Sequence, residues 1–275
     1  MIGGCRFAYA QARLQARYAE LPTETDWRRL SGARQLSGWL EEARSGALKR
    51  WVKGFSAQSD SHDIERGVRA QFIETVEQVA DFLPAPWHDA VAWCRWLPLL
   101  GLFDHVRGGG RLPAWALDDP RLRSLLGEDK AFDPSALADA GIDGLLADDA
   151  SRQWLAQWRQ SWPRCKPTYL AAVDALVLRG HQHLQQFREA PLDKAWTLRQ
   201  LLRERLRLEF HLHLLQPASA FIFLSLVALD LERLRRALLD RQLFEVGLAA
   251  TTPAGEVGRG THPRADARPI RRAAA

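Results

Sequence analysis

Two histidine pairs, His181-x-His183 and His211-x-His213, are the side chains of this 275-residue chain best suited by type to hold a metal. Their spacing argues against it. On a helix, residues i and i+2 stand about 200° apart and cannot share an ion; only a strand would align them. No Asp, Glu or Cys completes a ligand set by spacing, so these histidines are read as exposed or capping groups and no metal is expected. Cys5, Cys94 and Cys165 are odd in number, far apart and free of CxxC or Cys/His spacing. That points to a reducing compartment and away from a disulfide scaffold. The glycine runs at Gly3-Gly4 and Gly108-Gly109-Gly110 are not phosphate loops, because neither follows a strand pattern or ends in Gly-Lys-Ser/Thr. No G-x-S-x-G, H-E-x-x-H or Cys/His catalytic pattern is present. The carboxylate pairs Asp118/Asp119 and Asp148/Asp149 fall in turn-like segments, where capping and solvation account for them. No catalytic residue and no cofactor is expected.

Trp154, Trp158 and Trp162 recur every four residues, with Arg152, Arg159 and Arg164 nearby. A stripe at that spacing packs a helix into a core. The same residue types also make stacking platforms for single-stranded nucleic acid.

The elements that would carry these residues are nearly all helices. Residues 7–20 are good helix formers stopped by Pro22. Thr25 or Asp26 can cap a second helix. Its apolar positions Leu30, Leu36, Trp39, Leu40, Ala43, Leu48 and Trp51 form one stripe with possible breaks at Gly32 and Gly46. Ser61 or Asp63 can cap a third, with Val68, Phe72, Val76, Val79 and Leu83 spaced by three and four. Trp87 to Phe103 is apolar and bent at Pro98; residues 107–113 read as a linker. Short helices and turns follow over 113–150, and longer helices over 151–162, 168–188, 193–215 and 218–244. "RLRLEFHLH" at 205–213 alternates like a strand, but its flanks favour helix. The expected fold is all-α: a multi-helix bundle assembly, a cup of helical sub-bundles. Residues 1–250 form the helical domain, with possible sub-bundles 1–106 and 113–250, followed by a disordered basic tail over 251–275.

From Ala218 to Leu229 only Ser219 and Ser225 interrupt an apolar run of 12 residues. Spanning a membrane takes about 20, and Asp230, Glu232, Arg233, Arg235 and Arg236 follow at once. A buried helix with an emergent polar half fits better. Ala220, Leu224, Val227, Leu231, Leu234 and Leu238 then share a buried face, and Glu232, Arg233, Arg236 and Asp240 project from the other side. The N-terminal stretch has no apolar segment of signal-peptide length. The net charge is +5. Five arginines against Glu256 and Asp266 put +3 of it in residues 251–275, which leaves the body nearly balanced.

Two stretches carry a resemblance. Near the N-terminus, "FAYAQARLQARYAELPTETDWRRL" places Tyr9, Ala12, Arg13 and Ala16 on a Tyr-x-x-x-Arg pattern. Near the C-terminus, Pro217 leads an apolar helix into "DLERLRRAL", which places Asp230, Leu231, Leu234, Arg235 and Leu238. Together they resemble the V-type ATPase C/d family, the helical central-axis components of archaeal-type rotary ATPases. Arg233 stands where that family commonly has Asn, the chain is shorter than is usual there, and residues 104–165 give no motif match.

The resemblance implies a connector that is not an enzyme. It would link the central stalk to the membrane rotor ring and transmit torque between ATP synthesis or hydrolysis and ion (proton) transport. It would be cytoplasmic and peripheral to the membrane, with the other ATPase subunits as partners. Glu232, Arg233, Arg236 and Asp240 would be the candidate interface, unless they are simply a solvated face. The alternative is a helical nucleic-acid-associated binding protein, suggested by 38 Lys and Arg, aromatics near Arg and a basic tail.

Overall fold

The computed structural model describes residues 3–251. The expected disordered tail lies outside the described residues, apart from Thr251, which ends the last helix.

Helix α1 (Gly3–Ala19) stops before Pro22. Thr23, not Thr25 or Asp26, caps α2 (Glu24–Leu30). Its hydroxyl accepts from the Asp26 amide, and Asp26 returns the contact to the Thr23 amide, a reciprocal box that satisfies two free donors. The stripe expected over 30–51 breaks at both glycines, giving α3 (Leu36–Arg44) and α4 (Lys49–Val52). Asp60, one residue ahead of the expected cap, starts α5 (Ser61–Phe82) with Asp63 as its box partner. Gly67 interrupts the propensity of α5 for a packing reason: a Cβ there would stand 2.6 Å from the Phe55 ring.

Residues 85–107 are more broken than one helix bent at Pro98. A 3₁₀ turn, α6 (His88–Ala92), a 3₁₀ stretch containing Pro98, and α7 (Leu100–Arg107) follow one another. Pro98 lacks the amide an α-helix would use, and the tighter winding accommodates it. The linker holds Gly109 at φ +85°, a conformation that suits glycine. Short helices α8 (Ala114–Leu117), α9 (Pro120–Arg123), α10 (Pro134–Asp139) and α11 (Gly144–Ala147) fill the middle. Asp119 and Asp149 do act as caps, for α9 and for α12 (Ala150–Gln160).

Three long helices close the fold: α13 (Pro167–Glu189), α14 (Leu192–Leu212) and α15 (Ala218–Thr251). The 205–213 segment is helical up to its cap at His213, and among the described residues there is no strand, only an isolated bridge between Leu126 and Phe132. α14 and α15 are joined by a tight turn in which Leu215 takes φ +60°. Its amide donates to Gln11 Oε1 at 3.0 Å, which ties the turn to α1.

One buried cluster runs from Phe7 to Leu238 and takes residues from both sides of the 107–113 linker. α15 lies at its centre, packed on α1, α3, α5, α13 and α14. All six residues expected on its inner face are buried, each worth roughly 1.5–3 kcal/mol where the side chain is Leu or Val. No described helix is long and apolar enough to cross a membrane.

Candidate interface at the polar half of the last helix

Past Leu229, α15 turns polar while still packed against α2 and α14, so its charges meet partners inside the fold. Asp230 has no exposed surface. Arg203 of α14 grips it with two bonds, Nε to Oδ1 at 2.8 Å and Nη2 to Oδ2 at 3.1 Å, and also donates to the Pro22 carbonyl. Burial pushes the Asp230 carboxyl above its ordinary range, and Arg203 opposes that shift without cancelling it.

Arg233, expected to project outward, folds inward instead. Its guanidinium donates to both Glu24 oxygens at 2.7 and 2.9 Å. It also sits over the rings of Trp27 and Trp196, 4.7 and 4.8 Å from their centroids. The paired hydrogen bonds from Arg233 hold the Glu24 carboxyl below its usual range. The arginine at this position thus clamps α2, α14 and α15 together. Glu232 is half exposed and meets Arg199 at 3.0 Å. Only Arg236 and Asp240 stand out in solvent, facing each other at 3.6 Å. The four candidate interface residues therefore divide into one internal clamp, one rim pair and two exposed groups. Next to them is a cleft of about 430 Å³ lined by Trp27, Trp39, Trp196, Arg233, Arg236 and Asp240.

Two further arginines anchor the same helix. Arg235 pairs with Glu65 of α5, which also holds Arg69. Burial raises the Glu65 carboxyl, but hydrogen bonds from Arg235 and Arg69 outweigh it and leave it lowered. Arg241 donates to the Ala33 carbonyl at 2.9 Å and lies over Trp39.

The histidines have other uses. His183 is buried, and its Nε2 accepts from Arg199 at 2.7 Å. Burial, reinforced by Arg199, lowers its pKa and keeps it neutral. His211 packs edge-on against Tyr18, and His213 faces Gln216. Among the described residues no cluster of three or more His, Cys, Asp or Glu could hold a metal. Cys94 is buried and its thiol is pushed far up by desolvation, which leaves it unreactive.

Of the tryptophan stripe, Trp154 and Trp158 are core, and Trp162 is half-buried, edge-on against Trp158. Trp154 stacks on Trp158 at 5.2 Å, and their indoles donate to the carbonyls of Trp93 and Ala90. A second cleft, about 540 Å³ and mostly apolar, opens between α12, α13, α14 and α15. The charges at its rim are already paired, Arg179 with Glu209 and Arg199 with Glu232.

The internal partners of α15 are not visible in the sequence, because Arg233 and Glu24 are 209 positions apart. A glutamate in the first turn of α2 is the available signal, and it names no partner. Comparison with protein-family models, curated proteins and solved structures found no match.

Proposed function

We propose that this chain is a non-catalytic connector in a rotary ATPase of the V type, linking a central stalk to a membrane rotor ring. One observation carries the reading beyond the motif likeness. Tyr9, Ala12, Arg13 and Ala16, the α1 residues that match the family pattern, all lie on the exposed side of the helix, with Tyr9 61% exposed. The core uses the opposite side through Phe7, Ala10 and Leu14. Packing of this chain gives no reason for a tyrosine there, whereas a partner surface does, since tyrosine supplies contact area at low entropic cost. The other motif end is the helix that organises the fold, so torque applied to either end would pass through a packed body. On this reading the protein works beside the membrane at its cytoplasmic face, as part of the complex.

Affinity-tagged full-length protein, recovered from gently solubilised membranes of its own host, tests the proposal. Stalk proteins should accompany it in near-equal amounts, and the rotor-ring protein in several-fold excess, since a ring holds many copies. Tyr9→Asp should leave the thermal midpoint unchanged and remove those partners. Recovery of the chain without them, or an unaltered complex with Tyr9→Asp, would count against the reading.

A further inference from the structure

Five basic residues between positions 17 and 53 converge on one concavity. A cleft of about 880 Å³ lies where the last turns of α1 and α3 meet α4. Its walls carry Arg17, Arg44, Lys49, Arg50 and Lys53, with Glu20 as the one carboxylate. That leaves a net charge of +4 around a single hollow in a body whose charge is otherwise nearly balanced.

Internal pairing does not account for this charge. Arg17 and Arg50 both turn to the same oxygen, Glu20 Oε2, at 3.2 and 2.7 Å. Arg17 also donates to Gln78 Oε1, and Arg44 spends one donor on the Phe55 carbonyl. Among the described residues, no ion pair involves Arg44, Lys49 or Lys53. Arg50 is held below its ordinary pKa, first by burial and then by the nearness of Arg17, and only Glu20 and Glu74 offset this. Two guanidiniums thus share one carboxylate in direct contact, with Glu74 acting only from farther off. Cations at a helix C-terminus offset its dipole, which explains Arg17 and Arg44. It does not explain Lys49, Arg50 and Lys53, because a four-residue helix has little dipole to offset.

We propose that this cleft binds a phosphate-bearing anion. A single carboxylate would be satisfied by one arginine fork, whereas a multiply charged phosphate group uses both the forked guanidiniums and the point charges of two lysines. The hollow is large enough for more than one phosphate, or for a phosphate with a polar head attached. Two sources share this chemistry, a free polyphosphate anion and an anionic lipid headgroup. The site stands whether or not the chain joins a rotary ATPase.

The test is titration calorimetry of the full-length protein with inorganic pyrophosphate at low and moderate salt, alongside sedimentation with phosphatidylglycerol vesicles in neutral lipid. Lys49→Gln with Lys53→Gln removes two exposed, unpaired charges, and circular dichroism should show the fold unchanged. Saturable binding should weaken about tenfold or more in that variant. It should return with Lys49→Arg and Lys53→Arg, and be untouched by Arg121→Gln with Arg123→Gln, an equal charge change on α9. Cleft-dependent binding of pyrophosphate alone assigns the site to a free anion. Cleft-dependent retention on vesicles assigns it to a headgroup. The proposal is overturned if neither binds, if the cleft and α9 glutamine variants weaken binding alike, or if, in a parallel titration with a single-stranded oligonucleotide, only the oligonucleotide shows the cleft dependence.

Discussion

Asp230 and Arg203 show how one buried charge constrains its neighbours. A carboxylate with no exposed surface is tolerable here because a guanidinium meets both its oxygens. Asp230→Ala should cost about 3–5 kcal/mol in urea denaturation, because it strands Arg203 in an apolar setting. The raised pKa of Asp230 says that Arg203 does not fully offset its desolvation. Replacing both, as Arg203→Met with Asp230→Leu, should therefore recover most of the loss. If the double variant is as weak as the single one, the pair supplies more than mutual neutralisation. His183 adds a pH effect with a definite sign. Its folded pKa lies below the ordinary 6.5, so as pH falls below 6.5 the unfolded chain gains a proton that the folded chain refuses. Stability should drop across that window and be complete above it. His183→Gln should flatten the drop relative to the parent, measured as unfolding free energy at matched pH values. Neither effect is legible in the sequence, where His183 reads as an exposed or capping group and Asp230 as the first residue of a polar half.

At the scale of elements, α14 explains why its sequence looks like a strand. Leu206 and Phe210 are buried, while Leu208 and Leu212 are 64% and 73% exposed. The helix has an apolar inner side and an apolar outer side, and sampling the two in turn produces the alternation. Leu208→Gln with Leu212→Gln should change stability by no more than about 0.5 kcal/mol, as surface substitutions usually do. Loss of helix signal in that variant would contradict the two-sided account. α15 is the most readable element, because spacing by three and four identifies its inner face before any partner is known. Leu231→Ala should cost about 2–5 kcal/mol through lost burial and the cavity left behind. The capping residues are legible only to within a few positions. Thr23 and Asp60 each pair with the acidic residue three positions on, Asp26 and Asp63, and those acids read as caps themselves. The basic cleft is not legible, because its residues lie on three helices whose meeting is a tertiary fact.

For the molecule as a whole, the question is which charges on α15 hold the fold and which are free to meet a partner. Arg233 belongs to the first kind. It joins α2 to α15 across 209 positions and is sandwiched by Trp27 and Trp196. Arg233→Glu would bring a carboxylate against Glu24 and empty the space between the two rings. It should cost about 1–3 kcal/mol, the upper end being limited by the exposure of Glu24, which is 43%. Arg236 belongs to the second kind, 66% exposed, with Asp240 as its ion-pair partner. Arg236→Glu should shift stability by no more than about 0.5 kcal/mol. Reversing both arginines together would therefore confound a lost clamp with a lost contact, and only the single variants separate them. If Arg236→Glu folds like the parent but no longer joins the complex, this face of α15 is a contact surface, because opposed like charges disfavour an interface while leaving the free protein intact. If it joins normally, binding rests elsewhere, and the exposed side of α1 around Tyr9 is the next surface to reverse. If Arg233→Glu proves as stable as the parent, the clamp between the two ends of the chain is not part of what holds the fold together.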